Sequence, residues 1–248
     1  MRGLIFFLVS MLLAAYPVAA EDQSEPLTIE WLGHSSFLLS SASGTKILLD
    51  PYTPSAMVDY PTRKVDADVV IMSHLHSDHN NHDMARGKPE VIPGLKNNGD
   101  WNIVQKTVSG VKIETVPTFH YSEDSDKGRG KNSVIVMTMD GKRVVHLGDL
   151  GHVLTDEQKS RIGKVDILLV PVGGEYTIGP KEAHMVIEQL EPRVIIPMHY
   201  KTEKVVLPLA GVDDFLEGKD NVREVNKSFV TIDELPEKQQ IVVLEWKK

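Results

Sequence analysis

His74-Leu75-His76-Ser77-Asp78-His79-Asn80-Asn81-His82 places four of the chain's ten histidines within nine positions, with one aspartate between them. Neutral imidazole is a common metal ligand, and a carboxylate completes a nitrogen and oxygen site suited to zinc, manganese or iron. His74 and His76, two apart in a chain that has just left an apolar run, can grip one ion from the same side. Asp78 and His79 follow at once, where a turn can present them to a second ion. An isolated match of this kind also fits a surface histidine cluster. Further candidates lie at the ends of other apolar runs: His120 after Glu114–Phe119, Asp149 after Val144–Gly148, and His199 after Val194–Met198.

These residues need strands that end together. Thr28–Leu32, Ser36–Leu39 and Lys46–Leu49 have β-type composition, with Ser43-Gly44-Thr45 as a hairpin turn. Asp68–Met72 is a continuous apolar strand of the kind covered on both faces. Asn102–Thr107, Val111–Val116, Ser133–Thr138 and Arg143–Leu147 continue as a meander with Gly110 and Asp140-Gly141 at turns, and all these runs together predict one sheet of adjacent hairpins. Later, Thr155-Asp156-Glu157-Gln158 has capping-box form. Pro180 suits a first helical position leading into Lys181–Leu190. With strands at Val165–Val170 and Val194–Ile196, β and α alternate. The pattern predicts an α/β fold, two packed sheets with helices outside in an αββα sandwich. Ligands gather at the carboxyl ends of strands in such folds, so one edge would collect every candidate.

Residues 1–20 have the form of a secretory signal peptide: Arg2, the apolar run Leu4–Ala15, and the small residues Val18-Ala19-Ala20 before Glu21. The run is too short for the roughly twenty apolar residues of a membrane span. The expectation is therefore export to a periplasm or the medium, with 21–248 as one domain and no stable membrane anchor. The chain has no cysteine, which excludes a disulfide framework. Its net charge is −8, or −9 once Arg2 is removed with residues 1–20, and that field opposes nucleic acid or anionic lipid as a partner. A small-molecule substrate is expected instead.

The ordered set His74-x-His76-x-Asp78-His79, His120, Leu147-Gly148-Asp149 and Pro197-Met198-His199 resembles the metallo-β-lactamase superfamily. Gly33-His34-Ser35-Ser36-Phe37, Leu49-Asp50-Pro51-Tyr52 and Pro171-Val172-Gly173-Gly174 add likeness to a metal-dependent hydrolase branch that includes ascorbate-6-phosphate lactonase and, more distantly, the phospholipase D that releases N-acylethanolamines. The resemblance implies the four-layer fold of that superfamily and two divalent ions, zinc first, with manganese or iron as alternatives. It implies His74, His76 and His120 on one ion, Asp78, His79 and His199 on the other, and Asp149 bridging. A bridging aspartate argues against antibiotic hydrolysis. Two ions together lower the pKa of a water toward about 7, and the hydroxide formed between them can attack a carbonyl or phosphoryl centre. The implied activity is cleavage of an ester, lactone or phosphodiester; a nuclease of the same superfamily and a non-catalytic metal-dependent sensor are the rivals.

Other residues are candidates for supporting roles. Asp78 can orient the nucleophile, His152 can protonate a leaving group, and the Tyr200 or Tyr176 phenol can hydrogen-bond a reacting oxygen. His146, three positions before Asp149 on a strand, should face away from the ions. His34, at the bend between the first two strands, can return to the metal edge. His184 and His82 read as packing or loop residues, and Ser122–Lys131 as a solvated loop beside His120.

Overall fold

In β1 (Leu27–Gly33), buried Leu27, Ile29 and Trp31 alternate with half-buried Thr28 and Glu30, which gives the strand one covered face. The computed structural model describes residues 26–246 except 56, 62 and 122–129. The expected leader at 1–20 and most of the Ser122–Lys131 loop lie outside the described residues. β2 (Ser36–Ser40) pairs antiparallel with β1, and β3 (Lys46–Leu49) pairs with β2 across the expected turn at Gly44. After the two-residue β4 (Val65–Asp66) comes β5 (Val69–Met72), buried throughout and parallel to β3. β6 (Ala85–Arg86) pairs with β4, and β7 (Glu90–Pro93) runs parallel to β5.

The second sheet starts with the meander β8 (Gln105–Val108), β9 (Val111–Phe119), β10 (Lys131–Met139) and β11 (Lys142–His146). Its turns need a left-handed residue, and Gly110 (φ 82°) and Gly141 (φ 69°) supply one each. α1 (Asp156–Ile162) opens on the predicted capping box, where Thr155 Oγ1 accepts from the Gln158 amide at 3.2 Å and Gln158 Oε1 accepts from the Thr155 amide at 3.0 Å. β12 (Ile167–Pro171), α2 (Pro180–Leu190) with Pro180 at its start, and β13 (Val194–Met198) then extend the sheet in parallel. α3 (Val212–Leu216) and β14 (Val222–Val225) follow. β15 (Phe229–Ile232) crosses back to pair with β1, and β16 (Gln240–Leu244) lies between β13 and β14.

The strand orders are β15-β1-β2-β3-β5-β7 and β14-β16-β13-β12-β11-β10-β9-β8. The early runs therefore do not form the single hairpin sheet that their composition suggested. β3, β5 and β7 are mutually parallel, and parallel neighbours need crossovers in place of hairpins, so the chain leaves the first sheet after β7 and begins another. One apolar core joins the two, with Ile29, Phe37 and Leu48 from the first and Ile135, Val145 and Leu169 from the second. Every residue of β12 and β13 is buried, as parallel strands covered on both faces require.

This topology decides where the strands end. β9 and β11 both run antiparallel to β10, so they are parallel to each other and to β12 and β13, and their carboxyl ends share an edge. The Ser133 amide donates to Ser73 O at 3.1 Å and brings the end of β5 to the same edge.

Candidate metal centre

Asp149, just beyond β11, is the focus of that edge. Its Oδ2 lies 3.1 Å from His120 Nε2, 3.2 Å from His79 Nε2, 3.6 Å from His199 Nε2 and 3.8 Å from His74 Nε2. His76 Nδ1 is 3.0 Å from His74 Nε2, and Asp78 Oδ2 is 3.9 Å from His79 Nε2. All seven residues expected from the sequence thus converge. Ligand atoms of His74, His76, His120 and Asp149 lie within 4.8 Å of one another, as do those of His34, His79 and His199.

Such crowding suits lone pairs that meet on a cation. His79 Nε2 and Asp149 Oδ1 are buried without a hydrogen-bond partner among the described residues, whereas buried polar atoms are ordinarily paired. Nitrogen and oxygen donors without sulfur fit zinc, manganese or iron. The donor set therefore fits a divalent metal.

Electrostatics prepare the same state. Burial, helped by His79, holds His74 well below the usual histidine range, and burial takes His199 down to about 3. His76 is lowered by burial and by His120. Burial would raise Asp149, but His79 and His199 beside it hold its carboxyl well below the usual range. Asp78 is likewise lowered, since His79 and His34 outweigh its burial. His79 goes up instead, because Asp149 and Asp78 overcome the cost of burying its charge. A metal ion would displace that proton.

Asp50, at the end of β3, organises two of these histidines and was not foreseen as a site residue. Its carboxylate accepts from the Ser73 amide (2.6 Å), Ser73 Oγ (2.6 Å) and His79 Nδ1 (2.8 Å). Because the Ser73 proton points to Asp50, Ser73 Oγ accepts from His74 Nδ1 at 2.9 Å. Both imidazoles are thereby fixed in the tautomer that leaves Nε2 free, as ligating histidines require. Asn132 Oδ1 accepts from the Asp149 amide at 3.1 Å and so sets the aspartate's height. Gly148 (φ 56°) makes the preceding turn, where a Cβ would stand 2.4 Å from Asn132 Oδ1. The available signal for Asp50 was its position after an apolar strand, the rule that also found Asp149.

Two candidate catalytic groups have partners of their own. His152 Nε2 accepts from the Phe119 amide at 3.2 Å and its Nδ1 donates to Val153 O at 2.9 Å. With Nε2 occupied as an acceptor, it carries no proton toward a leaving group; the ring ties its loop to the end of β9. The Tyr200 ring stands 5.3 Å from that of Trp31 and lines a cavity of about 410 Å³ with Lys201, Glu203 and Trp246. Burial pushes its phenol up, and it makes no ring contact with the histidines.

The other histidines divide clearly. His146 faces away, donating from Nε2 to Ser35 O at 2.8 Å and accepting from the Gly148 amide at 3.0 Å. His184 packs its ring on Phe215 at 4.6 Å, and His82 is exposed beside Asp83. His34 does reach the edge, with Nε2 3.3 Å from Asp78 Oδ2.

Comparison with known proteins places this architecture. Residues 28–199 match the β-lactamase superfamily domain. A UPF0173 metal-dependent hydrolase of Pyrococcus abyssi is 32% identical over 195 residues, covering 70% of this chain and 84% of that protein. The crystal structure of a Thermotoga maritima protein, described as a Zn-dependent hydrolase of the metallo-β-lactamase superfamily, aligns with a TM-score of 0.72 and 43% identity, covering 88% of this chain and 98% of that one. A Parabacteroides distasonis structure shares the fold at 21% identity and TM-score 0.61, over 89% of this chain and 94% of that one. The expectation of export is corrected by these relatives: they are archaeal and bacterial hydrolases matched through the catalytic domain, and they give a periplasmic or secreted location no support. No helix among the described residues is long and apolar enough to cross a membrane. The chain belongs to the metallo-β-lactamase superfamily, among its metal-dependent hydrolases.

Proposed function

We propose that the chain uses two divalent ions, zinc in both positions, to hydrolyse an ester, lactone or phosphodiester bond in a small molecule. The observation that carries this reading is the ring of four imidazole Nε2 atoms 3.1 to 3.8 Å from the single oxygen Asp149 Oδ2. His74, His76 and His120 would hold one ion, Asp78, His79 and His199 the other, and Asp149 both. Bound there, the ions would lower the pKa of a water toward about 7 and stabilise charge on the attacked oxygen.

The chain's own groups do the rest. His74, His79, His120 and His199 are buried, whereas His76 is exposed, so substrate enters on the His76 side. Asp78, 26% exposed against 3% for Asp149, is the carboxylate within reach of an entering molecule. It remains an anion and is placed to orient the attacking water. The chain's negative charge disfavours a polyanionic substrate.

Elemental analysis of the purified protein should find two zinc ions per chain, and a panel of chromogenic esters, lactones and bis-phosphodiesters should reveal turnover. Asp149→Ala should lose most of the metal and the activity. Turnover by that variant at the unaltered rate would end the proposal.

A further inference from the structure

We infer that His34, which lies outside the ligand pattern, is a positioning residue for the second ion, holding Asp78 through its imidazole and His199 through its backbone carbonyl. The inference rests on the assignment of Asp78, His79 and His199 to one ion. His34 is fully buried, and Nε2 stands 3.3 Å from Asp78 Oδ2. An ionised carboxylate only accepts, so Nε2 carries the proton and donates it. That leaves no lone pair on Nε2 to offer a cation, and Nδ1 is without a hydrogen-bond partner among the described residues. The ring covers that of His199 at 4.1 Å between centroids and lies 5.4 Å from that of His79.

The main chain is equally committed. His34 O accepts from the His199 amide at 3.2 Å and from Trp31 Nε1 at 2.9 Å. His34 itself is left-handed (φ 52°), a conformation that is strained for a residue with a Cβ and persists where surrounding contacts enforce it. The turn is forced from the other side as well. Gly33 (φ 113°) lies so close to Tyr60 that a Cβ would stand 2.6 Å from its ring. One residue therefore touches two members of the second group from a segment that supplies no ligand. A donor at this position restricts Asp78 to one rotamer and directs its remaining lone pairs toward the ion.

The test is a cobalt(II) titration of metal-free protein, followed by visible absorption, on the unaltered chain and on His34→Ala, His34→Phe, His34→Gln, Asp78→Ala and the His34→Ala/Asp78→Ala double variant. His34→Ala should weaken one equivalent by roughly ten- to a hundredfold, the usual effect of losing a partner of a metal ligand. It should be the equivalent that Asp78→Ala weakens, with the other unchanged. His34→Phe keeps the ring's volume without a donor and should match His34→Ala, whereas His34→Gln restores a donor and should recover part of the loss. If His34→Ala fails to fold, the Phe and Gln pair decides.

On the Asp78→Ala background, removing His34 should change little more. A further tenfold loss there would mean that His34 touches the ion itself or serves only the fold, and would overturn the inference; so would unaltered affinity in His34→Ala and His34→Phe. If the unaltered chain takes up a single equivalent, the two-ion reading fails, and the role of His34 is judged on that equivalent by the same comparison.

Discussion

Asp50→Asn is the most informative perturbation of the centre, because it changes neither the size of the side chain nor any proposed ligand. The carboxylate accepts three hydrogen bonds, two at Oδ2 from Ser73 Oγ and His79 Nδ1 and one at Oδ1 from the Ser73 amide. An amide has one acceptor and one donor end. Its best orientation keeps oxygen at the Oδ2 position and sets its NH₂ against the Ser73 amide, an uncompensated conflict of about 1–3 kcal/mol. The two surviving bonds lose their ionic character, at about 1 kcal/mol each. Part of this loss falls on metal affinity, since His79 is held directly and His74 through Ser73. Each ion should bind roughly ten- to a hundredfold more weakly, or about 1.4–2.8 kcal/mol per ion. Competition against a chromogenic chelator, starting from metal-free protein, measures both steps. Unaltered affinity in both steps would refute the role of Asp50, and a change confined to the step involving His79 would refute the link through Ser73.

Gly148→Ala should lower stability by roughly 2–5 kcal/mol, the sum of a left-handed alanine and a Cβ driven into Asn132 and Ser73. Calorimetry should show a fall in Tm of roughly 2–4 °C per kcal/mol. Gly110→Ala, at a turn with nothing within 4 Å of the new Cβ, should show only the smaller backbone cost. His152→Ala should cost about 1–3 kcal/mol from its two backbone hydrogen bonds yet keep both limbs of the pH–rate profile. Loss of the alkaline limb would restore His152 as a proton donor.

What the sequence disclosed and what it hid have a physical basis. The seven converging residues were legible because each follows an apolar run whose end is marked by composition, and ends of parallel strands meet. The bend at His34 hinted at its return to the edge, but its partner Asp78, like the partners of Asp50 and Ser73, lies far away in the chain, 44 residues for His34 to Asp78 and 29 for His79 to Asp50, and no local pattern encodes such a pairing. His152 misled because closeness to Asp149 in sequence says nothing of direction. Gly151 between them packs so tightly on His120 that a Cβ would stand 2.0 Å from its carbonyl oxygen, and the chain leaves the edge there. Which strands fall in which of the two sheets was hidden for a related reason: composition distinguishes a strand from a helix, but not a hairpin from a crossover. β14 to β16 alternate between sheets, a route that apolar periodicity does not report.

The proposed ligands have mixed parentage. Those at residues 74 to 79 leave the first sheet, whereas His120, Asp149 and His199 leave the second. Neither half of the sandwich holds a complete set, so the two proposed ions would act as rivets across the seam, each adding about 2.7 kcal/mol when present at a hundred times its dissociation constant. His199 is also late in the order of synthesis. Most of the chain must leave the ribosome, and β13 must dock beside β12, before the centre can close. Loading would then follow assembly of the fold, and the ions available at that moment would weigh on which metal is taken up.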